Sequence, residues 1–151
     1  MITIKNSQRS IPVKINLLRQ AITCMLERAG YPNFDINILL TTNATIRCYN
    51  KQFRHNDKAT DILSFPFYPE LKAGEHIHAA TSDEKNLGDV IISVAYAQKD
   101  AQKLGRELNV HLIRLCAHGI AHVLGYDHET DSDWKKMNKV EARLLEGFLK
   151  L

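Results

Sequence analysis

The stretch HGIAHVLGYDH, residues 118–128, decides how the rest of the chain is read. Just upstream, Leu108, Leu112, Leu115, Cys116 and Val123 recur at helical spacing from about Glu107, so His118 and His122 fall late on a core helix. Residues four apart on a helix project about 40° apart and rise about 6 Å, so these two imidazoles point the same way and can chelate one ion. On a continuing helix His128 would stand about 15 Å beyond His118, too far to share that ion. The helix must therefore end between them. Gly125 lets it end, because a left-handed C-terminal turn costs glycine little, and Tyr126 and Asp127 then make the return. Three neutral imidazoles leave a fourth tetrahedral position open, the arrangement of a catalytic rather than a purely structural zinc site. A His-x3-His pair alone suits a solvated helix end, where a cation complements the helix dipole; the full spacing with its glycine favours the metal.

The residue after the first histidine sorts the chemistry. In metal-dependent peptidases a glutamate there takes a proton from water and passes it to the leaving amine. Gly119 cannot do this. Phosphoryl transfer leans less on one positioned base, since charge neutralisation carries much of the work, so a phosphodiester fits better than a peptide.

Outward from this core helix, ITIKN reads as a short strand, and Pro12 stands where the first turn of a helix tolerates proline. Apolar residues from Leu17 to Ala29 then follow helical spacing up to Gly30, and Phe34, Ile36, Ile38 and Leu40 alternate as a strand with one buried side. TTNATIRCYNKQFR, residues 41–54, predicts a short capped helix with Ile46, Tyr49 and Phe53 on its apolar side. HNDKATDILSFPFY passes from a polar loop into a strand that Pro66 consigns to a sheet edge or a bulge. Residues 69–87 show no sustained period, which marks a lid or a mobile insertion. GDVIISVAYA is the clearest buried strand, and it passes into a helix closed by Gly105. Trp134, Met137, Val140, Leu144, Leu145 and Phe148 form the stripe of a last helix, read as packing and nothing more. These elements predict one α+β domain over 1–151, with about four strands in a mixed sheet and helices packed on it.

Bulk composition is consistent with this. The chain has 151 residues, 44% hydrophobic and 25% charged, an ordinary globular balance. No apolar run approaches the roughly 20 residues of a membrane span, so no membrane is expected as a partner. No secretory signal is visible, and three scattered cysteines, Cys24, Cys48 and Cys116, suit reduced thiols. The expected location is the cytoplasm, with an organelle open if the source is eukaryotic. The net charge of +3 permits nucleic-acid binding without requiring it.

The histidine signature and the upstream segment FRHNDKATDILSFPF, followed by LGDVIIS, resemble in order the motifs of the YbeY family of metal-dependent endoribonucleases, over roughly residues 35–146. That resemblance implies a zincin-like fold and cleavage of single-stranded RNA. It also implies maturation of the 3′ end of small-subunit precursor rRNA, ribosome quality control, and association with the ribosome or small-subunit proteins. His118, His122 and His128 match the metal ligands, and Arg54 matches the arginine used with the metal site. Ala121 and Val123 stand where leucines are usual, and Ala59 stands where a proline is common.

Arg54, read as part of a polar loop, offers planar donors to a phosphate, and with His118 forms the expected catalytic pair around one Zn2+. Lys51 and Lys58 are RNA-binding candidates beside it, against the plainer reading of a normally charged loop. Asp127 either orients His128 or a water, or only shapes the turn. Asp61, Ser64 and Asp89 read as capping or hydrogen-bonding residues, and His76 and His78 as exposed. Arg47, Lys99, Lys103, Arg106 and Arg114 read as solvated helix positions. His111 lies about 10 Å along the helix from His118 and cannot share its ion. Two rival readings stay open: a peptidase that borrows a base from elsewhere, such as Asp127, and a non-catalytic ribosome-binding module with a structural metal.

Overall fold

A computed structural model describes residues 1–148, so the last three residues of the 1–151 span lie outside the described part. The order is β1 (Ile2–Asn6), α1 (Ile15–Ala29), β2 (Asp35–Thr41), α2 (Asn43–Arg54), β3 (Ile62–Pro66), β4 (Asn86–Ser93), α3 (Val94–Leu104), α4 (Leu108–Val123) and α5 (Asp131–Leu145). The strands form one sheet in the order β1-β2-β4-β3. β1, β2 and β4 run parallel, and β3 runs antiparallel to β4 at the edge. The expected α+β architecture with a four-stranded mixed sheet is the one adopted. Among the described residues, no helix is long and apolar enough to cross a membrane.

Parallel neighbours need a crossover, and the two helices that supply it lie on opposite faces of the sheet. On one face Ile36, Ile38 and Leu40 of β2 and Val90 and Ile92 of β4 meet Ile22, Met25 and Leu26 of α1 and Leu112, Ile113 and Ile120 of α4 in the main core. On the other, α2 lays Ile46 over Leu63 and Ile91 to form a smaller cluster. Each fully buried Leu, Ile or Met side chain contributes roughly 1.5–3 kcal/mol by burial, so the main core dominates stability.

Several local expectations need correction. Pro12 lies ahead of α1, in a turn that the Gln8 side chain holds by bonding both the N–H and the C=O of Ile11 at 3.0 and 2.7 Å. Trp134 is 57% exposed, because Met137, Leu144 and Leu145 carry the buried face of α5 and its first turn stops short of the core. Arg106 is on no helix: Gly105 turns left-handed after α3, and Glu107 caps α4 with its carboxylate on Val110 N–H. The stretch before β4 is not structureless. It holds a 3-10 turn, Ser82–Glu84, and buries Ile77, whose N–H donates to the Tyr31 hydroxyl at 3.1 Å. His76 and His78 are both exposed as expected, and His76 also stacks on the Tyr31 ring.

Candidate metal centre

α4 lies across the sheet at the β3–β4 side, and Gly119 explains how closely. A Cβ added there would stand 3.0 Å from Val90 Cγ1 and 3.1 Å from Ile62 Cδ1. The position after the first histidine therefore faces the sheet, and any side chain there would have to displace the Val90 and Ile62 methyl groups by a few tenths of an ångström. A glutamate would start from that apolar contact and not from the cleft.

The end of α4 is a Schellman cap. Gly125 N–H donates to His122 O at 3.0 Å and Tyr126 N–H to Ala121 O at 3.1 Å, with Gly125 at φ +94°. The chain then doubles back, and Asp127 fixes the return by accepting the His128 N–H at 2.7 Å. Asp127 thus shapes the turn, and its carboxylate orients the backbone of His128. The three imidazoles converge: ring centroids lie 4.6 Å apart for His118 and His122, 5.7 Å for His118 and His128, and 5.3 Å for His122 and His128.

Their nitrogens suit a metal. One ligand atom from each histidine lies within 4.8 Å of the others. His118 Nε2 and His122 Nε2 are 3.1 Å apart, close to the edge of about 3.3 Å that a tetrahedron with zinc–nitrogen bonds of about 2.0–2.1 Å has. Burial first, then the His118 and His128 imidazoles, push the pKa of His122 down, which favours the neutral ring that ligation needs. Glu141 was not anticipated. From α5 its carboxylate takes the Nδ1–H of His118 at 2.6 Å, which fixes the tautomer and leaves the Nε2 lone pair pointing at the other rings. The last helix is therefore more than packing. Glu141 lies four residues after Met137 and three before Leu144, on the side of α5 that meets α4, and that periodicity is the one signal that could have found it.

Arg54 lines the same cleft of about 750 Å³ as the three histidines, together with β3 and the turn at Gly125. It is the last residue of α2 and not part of the following loop, because His55 takes the left-handed cap at φ +58°. One guanidinium N–H donates to Ser64 O at 2.8 Å, and the group sits 5.2 Å from the centre of the Phe65 ring. One of its five N–H donors is spent on that bond, so the others can meet an anion in the cleft. Lys51, on α2, and Lys58 are exposed and do not line the cleft. Their charge is partly offset by Asp57, which pairs with Arg47 at 2.8 Å. His111 is buried, apart from the site, and approaches Arg106 at 3.5 Å. Cys116 is fully buried, and burial pushes its thiol up to about 12. Asp61 and Asp89 have the hydrogen-bonding roles expected of them, on Ile62 N–H and the Asn37 side chain.

The rim of the cleft along β3 is a blunted edge. Ser93 N–H donates to Asp61 O and Phe67 N–H to Leu87 O, so by alternation the odd-numbered residues bond to β4 and Ile62, Ser64 and Pro66 face outward. The Ile62 N–H is taken by the Asp61 carboxylate at 2.8 Å and the Ser64 carbonyl by Arg54, while Pro66 has no N–H. An extended peptide would find this ladder interrupted at three successive positions.

A family profile described as endoribonuclease YbeY matches residues 2–149. A human protein named endoribonuclease YbeY is 34% identical over 145 residues, covering 96% of this chain and 86% of its own. A relative of the same name from Desulforamulus reducens is 36% identical, covering 96% and 95%, and one from Clostridium acetobutylicum is 35% identical, covering 98% of each. A solution structure of a Thermotoga maritima protein superposes with a TM-score of 0.60 at 21% identity, covering 98% of this chain and 91% of that one, which supports the fold. Matched along nearly its whole length by the profile and by relatives of this name, the chain belongs to the YbeY family of endoribonucleases.

Proposed function

We propose that this chain is a zinc-dependent endoribonuclease, specific for single strands, that trims the 3′ end of small-subunit precursor rRNA in the cytoplasm and serves ribosome quality control in contact with the ribosome or its small-subunit proteins. The observation that carries the reading is the convergence of His118, His122 and His128, braced by Glu141, in one cleft with Arg54. When bound, a zinc ion supplies a Lewis acid that polarises a phosphoryl oxygen or lowers the pKa of water. The chain does the rest. Glu141 holds the His118 Nδ1 proton and so keeps Nε2 available for the metal. Arg54, kept flat by Ser64 O and Phe65, binds the scissile phosphate and stabilises charge that builds on it.

The peptidase alternative is disfavoured on two counts. Gly119 faces the sheet where a base would be needed, and one oxygen of the Asp127 carboxylate is held by the His128 N–H. The blunted β3 edge also weakens the main-chain pairing by which extended peptides are held. For a purely structural metal, a closed fourth ligand would be expected; instead the three rings face an open cleft. Zinc-loaded protein incubated with single-stranded RNA and, separately, with casein, beside His118→Ala and Arg54→Ala, tests all three readings. RNA cut by the parent alone supports the proposal. Casein digestion would support the peptidase, no turnover of either with intact ribosome binding would support the module with a structural metal, and cleavage that persists in both variants would remove the assigned site.

A further inference from the structure

The sheet has a second concavity, on the face that α2 covers only in part. It is a groove of about 530 Å³ whose floor runs across all four strands and whose wall is the aromatic side of α2. Register places Phe65, Asp89, Asn37 and Thr3 in one row across the sheet, three inter-strand steps or about 14 Å. Phe53 is 50% exposed, stacked on Tyr49 at 6.1 Å and edge-on to Phe65 at 5.4 Å. An aromatic ring held by two others and left half open to water is a prepared surface, not a core residue.

Continuity says what it is prepared for. Phe65 lines both this groove and the metal cleft, and the Arg54 guanidinium that faces the cleft lies over the same Phe65 ring. The cleft and the groove are therefore continuous at Phe65, which leaves a path for a strand from one to the other. Its far rim carries Lys5, and its floor carries the Asn37–Asp89 pair, hydrogen-bonded at 2.9 Å. Cations at the two ends, a flat aromatic between them and amide and carboxylate groups on the floor match one strand of unpaired RNA: phosphates at the rims, a base on the ring, base edges over the polar pair. A duplex would hide the faces that such a ring needs.

We propose that this groove is a substrate-binding extension of the active site, in which Phe53 stacks a base of single-stranded RNA adjacent to the phosphate held at Arg54. The inference rests on the endoribonuclease reading and names a structural source for a preference for single strands. The test uses the full chain and a labelled, uncleavable single-stranded RNA oligomer, with the Kd read by anisotropy. Phe53→Ala should raise the Kd between about fivefold and a hundredfold, and Phe53→Trp should restore binding. Replacing one base of the oligomer at a time with an abasic unit should reveal a position whose loss weakens the parent but adds nothing in Phe53→Ala. Equal Kd for parent and Phe53→Ala, with cleavage of ordinary RNA still abolished by His118→Ala, would overturn the groove and leave the endoribonuclease reading intact. A parent that neither binds nor cuts RNA would overturn both. A dimeric parent that becomes monomeric on Phe53→Ala, with unchanged RNA affinity, would make the groove an interface between copies of this chain instead.

Discussion

Replacing Gly125 with alanine tests the link between backbone and metal most directly. At φ +94° an L-residue is strained, at a cost of about 1–2 kcal/mol. The new Cβ would also stand 2.5 Å from the Leu71 carbonyl oxygen, 2.8 Å from Lys72 C and 3.0 Å from Ala73 N. The first of these is nearly 1 Å short of ordinary van der Waals contact, and the opposing atoms are backbone that no rotamer change can withdraw. Strain and clash together should destabilise the fold by about 2–4 kcal/mol, or roughly 5–15 °C in Tm for a domain of this size. The turn that carries His128 has to shift by several tenths of an ångström, more than the tolerance of about 0.2 Å on a metal–ligand bond. Zinc affinity, measured by competition with a chromophoric chelator, should therefore fall about as far as in His128→Ala. The double variant should lose little beyond either single one, because both changes remove the same ligand. A Gly125→Ala protein that melts and binds zinc like the parent would refute the reasoning.

Other expectations follow from the same geometry. Glu141→Gln should weaken zinc binding about 10–100-fold while the far-UV spectrum and the apo melting temperature stay close to the parent's, since the amide cannot accept the His118 proton as a carboxylate does. Gly119→Glu should not create a peptidase; it should cost about 1–3 kcal/mol in urea unfolding, because its Cβ crowds Val90 and Ile62. In the native state a thiol reagent should modify exposed Cys48 and spare Cys116, whose thiol sits near 12, until the protein is unfolded. Burial, then the Arg106 charge, hold the His111 pKa below its ordinary 6.5, so below that pH the unfolded chain binds more protons and the apoprotein loses stability as the medium is acidified. His111→Gln should make the fall in apo Tm shallower below pH 6.5, with the remainder carried in part by His122, which shifts the same way.

What could be read in advance was what the chain writes locally. Ile36, Ile38 and Leu40 alternate within one strand, and the three histidines with their glycine span eleven residues whose geometry is set by one helix and one cap. Glu141 escaped because it is 23 residues from His118 and meets it only through the packing of α5 on α4. The end of α2 reads two ways in the sequence: the stretch 41–54 as a helix, which holds, and Arg54 as loop, which does not. No glycine or proline marks it, and the left-handed position falls to His55, so Arg54 looked like loop when it is the last helical residue. Trp134 shows the opposite error: its spacing matches the stripe, but a helix end can run past the core it serves.

The interrupted outer rim of β3 has a consequence for what the cleft can grip. Proteins that seize extended chains by lending them a bare strand read the amide repeat of their guest, and so accept almost any polypeptide. Here the Asp61 carboxylate, the Arg54 guanidinium and the ring of Pro66 interrupt that handhold. With that handhold weakened, charges and flat faces gain weight in what the cleft can hold, and polypeptides offer them sparsely while ribonucleotides offer them at every unit.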